Sequence, residues 1–218
     1  PEVLQALLAS LRDEGWTVRL AAARALGGMG SAAAQPEVLQ ALLASLRDEG
    51  WTVRLAAAEA LVGMGSAAAQ PEVLQALLAS LQDDSRTVRW AAARALGKMG
   101  PAAAQPEVLQ ALLASLQDDS RTVRWAAARA LGKMGPAAAQ PEVIQALLAS
   151  LQDEDTDVCW AAAGALTTWH RQGLRFFRDA RGRWTVRTVQ ELSGGAQLRG
   201  RGPRGRQGQA RRRRPPSA

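Results

Sequence analysis

His170 is the only histidine in the chain and Cys159 the only cysteine, and these two counts bound the catalysis on offer. General acid–base work usually needs a histidine or two carboxylates in one pocket, and metal chemistry needs clustered His, Cys, Asp or Glu. His170 is followed by Arg171, not by a carboxylate. Gly27-Gly28-Met29-Gly30 lacks the Gly-Lys-Ser/Thr ending of a phosphate loop and reads as a helix end. Adjacent acids such as Asp83-Asp84 could ligate a hard cation, or could be loop residues at a helix start. Cys159, beside Trp160, is either a reactive thiol or a small side chain standing where earlier copies of the same text have arginine. The sequence therefore reads as non-enzymatic, with no catalytic, metal-binding or cofactor-binding residues and no cofactor.

Tryptophan offers more. Trp16 and Trp51 are 35 residues apart, as are Trp90, Trp125 and Trp160. Arg86 and Arg121 precede Trp90 and Trp125 by one helical turn, in reach of a cation–π contact, and Arg94, Lys98, Arg129 and Lys133 fall on the adjoining strip. A register of exposed Trp and Arg has the make-up of a binding surface, suited to a protein or peptide segment that is acidic and partly apolar. The competing reading is that each ring lies flat on a neighbouring helix and seals a repeat interface, the register being a by-product of duplication.

The elements that must hold these residues come from one 35-residue text. Pro1 to Gln35 restarts at Pro36, Pro71, Pro106 and Pro141; the second copy differs from the first only at Glu59 for Arg24 and Val62 for Gly27, and residues 106–140 repeat 71–105 letter for letter. Such periods mark solenoids, whose units bury their apolar faces only against neighbours. Val3, Leu4, Leu7, Leu8 and Leu11 predict a first helix over about Pro1 to Arg12, with proline at the first turn and Glu2 near the positive end of the dipole. Gly15, or Ser85, or Asp155, is an acceptable N-cap for a second helix whose core face is Val18, Ala22, Ala25, Leu26 and Met29, ending at Gly30 or at Gly100-Pro101. On a helical projection positions 16, 20, 23 and 27 lie at roughly 140–200° from Val18, which turns them away from the first helix. The fold class is all-α: a right-handed α-solenoid of five helical hairpins.

Asp13 and Arg19, followed by Ala-Ala-Ala-x-Ala-Leu-Gly, resemble the Asp and Val-Arg of HEAT repeats, in particular the short type of phycobilin lyases within the armadillo-like solenoids. The resemblance spans residues 1 to about 170 and recurs as Asp48/Arg54, Asp83/Arg89 and Asp118/Arg124; Asp153 has Cys159 in place of arginine, so the pattern ends there. It implies a ladder of charge-assisted hydrogen bonds between successive turns, and second helices on the concave side. It also implies the leading function, a non-enzymatic binding scaffold or adaptor, which in similar arrays is the sensor part of a larger signalling ATPase. A phycobilin lyase-like subunit, with Cys159 as a bilin contact, is the alternative. Deoxyhypusine hydroxylases share the repeat type but carry repeated His-Glu pairs, which are missing here.

Charge divides the chain. Residues 1–170 hold 13 basic and 18 acidic side chains, whereas residues 171–218 hold 14 arginines and two acids. The reading is a repeat array over 1–170 (1–35, 36–70, 71–105, 106–140, 141–170), a degenerate sixth repeat or capping segment over 171–195, and a disordered Arg-rich tail over 196–218. In the middle segment Thr185 to Leu192 is expected as one helix. Arg211 to Arg214 could attract nucleic acid or act as a nuclear signal, could be a solvated tail, or could be the product of a shifted reading frame. The lone cysteine and the lack of a long apolar run give a cytoplasmic expectation, nuclear if the tail is genuine, with no membrane partner and a monomeric array. A chain opening on Pro1 without a polar capping repeat is expected to be a fragment of a longer protein.

Overall fold

The structure is a computed structural model that describes residues 2–178 and 184–188. Among the described residues ten α-helices form five antiparallel hairpins: α1 (Glu2–Ser10) with α2 (Trp16–Gly28), α3 (Pro36–Ser45) with α4 (Trp51–Met64), α5 (Pro71–Ser80) with α6 (Arg86–Met99), α7 (Pro106–Ser115) with α8 (Arg121–Met134), and α9 (Pro141–Ser150) with α10 (Thr156–Arg171). From α3 onward each first helix starts at its proline after an extended glutamine. Its closing serine donates back to a carbonyl four residues earlier, as Ser80 does to Ala76 at 3.0 Å. The second helices begin at the expected caps. Only Asp155 caps with its side chain, accepting from the N–H groups of Asp157 and Val158; Ser85 and Ser120 pair instead with Thr87 and Thr122. Gly65, Gly100 and Gly135 end α4, α6 and α8 with φ of 59°, 64° and 67°, a region that favours glycine. A 3-10 turn the sequence did not announce follows each, and buries Ala68, Ala103 or Ala138 before the next proline.

Small residues decide how the hairpins stack. Ala23, Ala58, Ala93 and Ala128 are fully buried, and Gly97 and Gly132 are buried as well. A Cβ placed on Gly97 would lie 2.7 Å from the Cα of Ala130, and one on Gly27 2.8 Å from the Cα of Ala60. The projection that turned positions 23 and 27 outward is thus corrected: they face away from the first helix, but onto the second helix of the next repeat, because alanine and glycine let the axes come close. First helices meet each other far more sparingly, leaving clefts of about 560 Å³ between α1 and α3 and about 520 Å³ between α3 and α5. Closer packing among the second helices than among the first puts α2, α4, α6, α8 and α10 on the inner side of the stack.

The two ends differ. Val3 is 66% exposed, whereas Val38, Val73 and Val108, which have a preceding repeat against them, are 1% exposed. At the other end α10 is followed by two antiparallel strands, β1 (Leu174–Arg178) and β2 (Trp184–Thr188), with Phe176 opposite Val186. The expected helix over Thr185 to Leu192, and with it the helical sixth repeat, is overturned where the structure describes it: residues 185–188 are strand, and 189–192 lie outside the described residues. Burial explains it, since Leu174 and Phe176 pack inward while Phe177 is exposed, a period of two instead of 3.6. The hairpin rests on α9 and α10, beside the buried Trp169. The tail of 196–218 also lies outside the described residues. Among the described residues no helix is long and apolar enough to cross a membrane.

Candidate functional site

Along the edge formed by the turns inside each hairpin, four arginines each pair with an aspartate of the next repeat. Arg19 donates from Nε to Oδ2 of Asp48 at 2.7 Å and from Nη2 to Oδ1 at 3.1 Å, while its Nη1 donates to the carbonyls of Asp13 and Glu14 in its own turn. The set recurs for Arg54 with Asp83, Arg89 with Asp118 and Arg124 with Asp153, each pair 29 residues apart. Each acid also accepts a backbone N–H two residues on, from Gly50, Ser85, Ser120 or Asp155. Burial works against the charge of Asp48, Asp83 and Asp118, but the arginine and backbone donors outweigh it and hold these carboxyls below the usual range; for Asp153 the Arg124 bond is the main cause. The Asp13 carboxylate accepts a single bond among the described residues, from the N–H of Gly15.

Three chemical candidates are absorbed by this edge or lie apart. Asp83 and Asp84 are both taken by Arg54, with 2.7 Å to each, so the cation-ligand reading has no support there. Cys159 donates its thiol to the Asp153 carbonyl at 3.2 Å, the bond that Nη1 makes in the other repeats, and thus occupies the arginine slot. His170 lies at the far end near Arg175. Among the described residues no group of three or more His, Cys, Asp or Glu could hold a metal ion.

The inner, second-helix face is built differently. Arg94 sits over the Trp90 ring at 4.4 Å and Arg129 over Trp125 at 4.8 Å. The cation–π partners are therefore not Arg86 and Arg121, as the spacing suggested. Helical side chains lean toward the N-terminus, so the long residue one turn after the ring reaches back over it while the one before leans away. Arg121 instead pairs with Asp155 of the next repeat at 3.0 Å. Nor is the tryptophan row uniform: Trp16, Trp51 and Trp160 are 52%, 49% and 73% exposed, while Trp90 and Trp125 are half-buried against the core. Partly covered and exposed rings are thus combined in one row, and Trp160 is the most exposed of the five.

Between α6 and α8 runs a furrow of about 250 Å³ lined by Arg94, Lys98, Trp125, Arg129 and Lys133. Between α8 and α10 lies a wider trough of about 500 Å³ in which Trp125 and Trp160 form opposite walls. Within 4 Å none of Arg94, Lys98, Arg129 and Lys133 has a carboxylate partner among the described residues. Burial, and then repulsion from Arg129, Lys98 and Arg94, pushes the Lys133 ammonium below the usual lysine range. The trough escaped the sequence reading, although its signal was present: Gly164 and Thr168 replace the arginine and lysine of repeats 3 and 4.

The sequence profile of HEAT repeats matches residues 1–62, 43–115 and 74–167. No curated protein matches the chain in sequence. Solved structures do resemble it. An engineered protein aligns at 27% identity and a TM-score of 0.62, over 76% of this chain and 80% of the other. A designed armadillo repeat protein in complex with the peptide (KR)4 aligns at 20% identity and a TM-score of 0.62, over 76% and 81%. A chain of the CpcE–CpcF complex of phycocyanin lyase from Nostoc sp. PCC7120 aligns at 24% identity and a TM-score of 0.62, over 77% and 65%. Ladder, stacking and profile agree, and the chain belongs to the HEAT-repeat family.

Proposed function

We propose that this array is a non-enzymatic binding module that takes an acidic, partly apolar peptide segment of a protein across the second-helix face of repeats 3 to 5. The observation that carries the reading is the group of four cations, Arg94, Lys98, Arg129 and Lys133, standing beside tryptophan rings with no carboxylate within 4 Å among the described residues. Of the 18 acids in the first 170 residues, nine pair with arginines at the turn edge and none lies within 4 Å of these cations. Cations left near one another repel, and an incoming carboxylate relieves that repulsion while the rings supply contact area. Peptide binding on a related fold, by the designed armadillo protein seen with (KR)4, supports the mode of binding; the basic strip here calls for a ligand of opposite charge.

The indole N–H signals test this reading by NMR. Titrating the chain with a peptide rich in glutamate and leucine should shift the signals of Trp90, Trp125 and Trp160 and leave the buried Trp169 in place. Shifts confined to Trp16 and Trp51, or no shift in any indole at millimolar peptide, would remove it.

A further inference from the structure

We infer that the partner segment docks in two parts, a pair of neighbouring carboxylates in the α6–α8 furrow and one large apolar side chain in the α8–α10 trough; this rests on the peptide-binding reading above. The two recesses adjoin, since Trp125, Arg129 and Lys133 of α8 line both, whereas Arg94 and Lys98 line the furrow alone. They differ in chemistry. The furrow has two cations from α6 and two from α8 around about 250 Å³, over a floor of Gly97, Ala126 and Ala130. That space suits one or two polar head groups and is too small for a helix. One carboxylate would leave most of the mutual repulsion among four cations in place, and two neighbouring ones relieve more of it.

The trough keeps Arg129 and Lys133 on its α8 side and reverses these features on its α10 side. Where Arg94 and Arg129 cover the rings of repeats 3 and 4, repeat 5 has Gly164, and where those repeats have Lys98 and Lys133 it has Thr168. Its α10 wall is therefore ring and small side chains, with Trp160 exposed and Ala161 and Ala165 beside it. Asp157 on the rim adds a negative charge that disfavours a second acid there. A Cβ on Gly164 meets nothing within 4 Å, so open space lies over it. An uncovered indole facing a recess of about 500 Å³ is the contact a leucine or phenylalanine side chain fills.

The probes are dye-labelled peptides with two adjacent glutamates and one leucine or phenylalanine at varied separations on either side, each paired with a Gln-Gln and a serine control. Anisotropy is measured on the full chain, on R94Q/K98Q and on Gly164→Arg. The last variant rebuilds over Trp160 the arginine cover of repeats 3 and 4 and has room to fold. The best peptide should lose about tenfold in affinity with Gln-Gln and about tenfold with serine. In R94Q/K98Q, whose two cations line the furrow alone, the Gln-Gln loss should shrink several-fold and the serine loss persist; in Gly164→Arg the reverse should hold, as a double-mutant cycle requires for separate contacts. A serine loss of equal size in Gly164→Arg and wild type would overturn the two-part docking while leaving acidic-peptide binding intact. Inorganic pyrophosphate displacing the peptide at equal concentration would also overturn it, in favour of a simple anion site. Peptide binding absent altogether would remove this inference together with the reading beneath it.

Discussion

Arg89 and Arg94 lie five residues apart on α6 and have opposite fates. Arg89, on the turn edge, bonds two carbonyls of its own repeat and two acids of the next. Arg94, on the inner face, has a tryptophan ring below it and other cations around it. The turn edge is joined electrostatically, the guanidinium groups of Arg19, Arg54, Arg89 and Arg124 each satisfied by groups the fold itself supplies. The inner face is open, its charges oriented by rings but not neutralised. The difference separates charge that joins repeats from charge that remains free for a partner.

The largest effect should come from the packing that both regions depend on. Gly97→Leu drives a side chain into the backbone of Ala130 and should destabilise the array by more than about 3 kcal/mol in urea titration, or prevent folding. A near-neutral result would mean that the second helices are not held at close approach. Next comes the edge itself: Arg89→Ala strands largely buried Asp118 and should cost about 1–3 kcal/mol. Arg129→Ala on the inner face loses only the contact with Trp125 and should cost about 0.5–1 kcal/mol. Equal losses from the two variants would erase the distinction between the regions.

Acid sharpens the same contrast. The ladder carboxyls titrate below their unfolded values, so the unfolded chain binds more protons as pH falls. Their contribution should be complete above about pH 4 and fade as pH drops through the lower native values. In Arg89→Ala the loss of stability on acidification should be shallower than in wild type, which denaturation at stepped pH measures. The smallest expected effect is that of salt on the fold. Raising it from 50 to 500 mM should change the melting temperature little, because largely buried pairs are weakly screened, while peptide binding to the exposed cations falls.

Much of this was legible in the text of the repeat. Identical copies of Pro106 to Gln140 must occupy equivalent environments, and Leu42 or Leu77 at helical spacing had to meet a neighbour. Asp and Val-Arg at fixed spacing carried the HEAT resemblance, though not which repeat's acid each arginine reaches. Two features were hidden because they are pairwise. A projection of one helix cannot show that Ala93 and Gly97 face another helix, and cation–π reach depends on the lean of the side chains, which placed Arg94 and not Arg86 over Trp90. The terminal strands were missed for another reason. The echo of Trp16-Thr17-Val18-Arg19 in residues 184–187 suggested a repeat, while the alternation of Leu174, Phe176 and Phe177 decided the conformation.

The central claim is that the free cations of the inner face belong to a partner and not to the fold. Reversing two exposed ones, in K98E/K133E, tests it directly when stability and affinity for a glutamate- and leucine-rich peptide are measured on the same samples. The account predicts a melting temperature within a few degrees of wild type and peptide affinity reduced by about thirtyfold or more. Unchanged affinity in a folded variant would contradict it, as would a cooperative loss of the fold, which would place Lys98 and Lys133 among the charges that hold the array together.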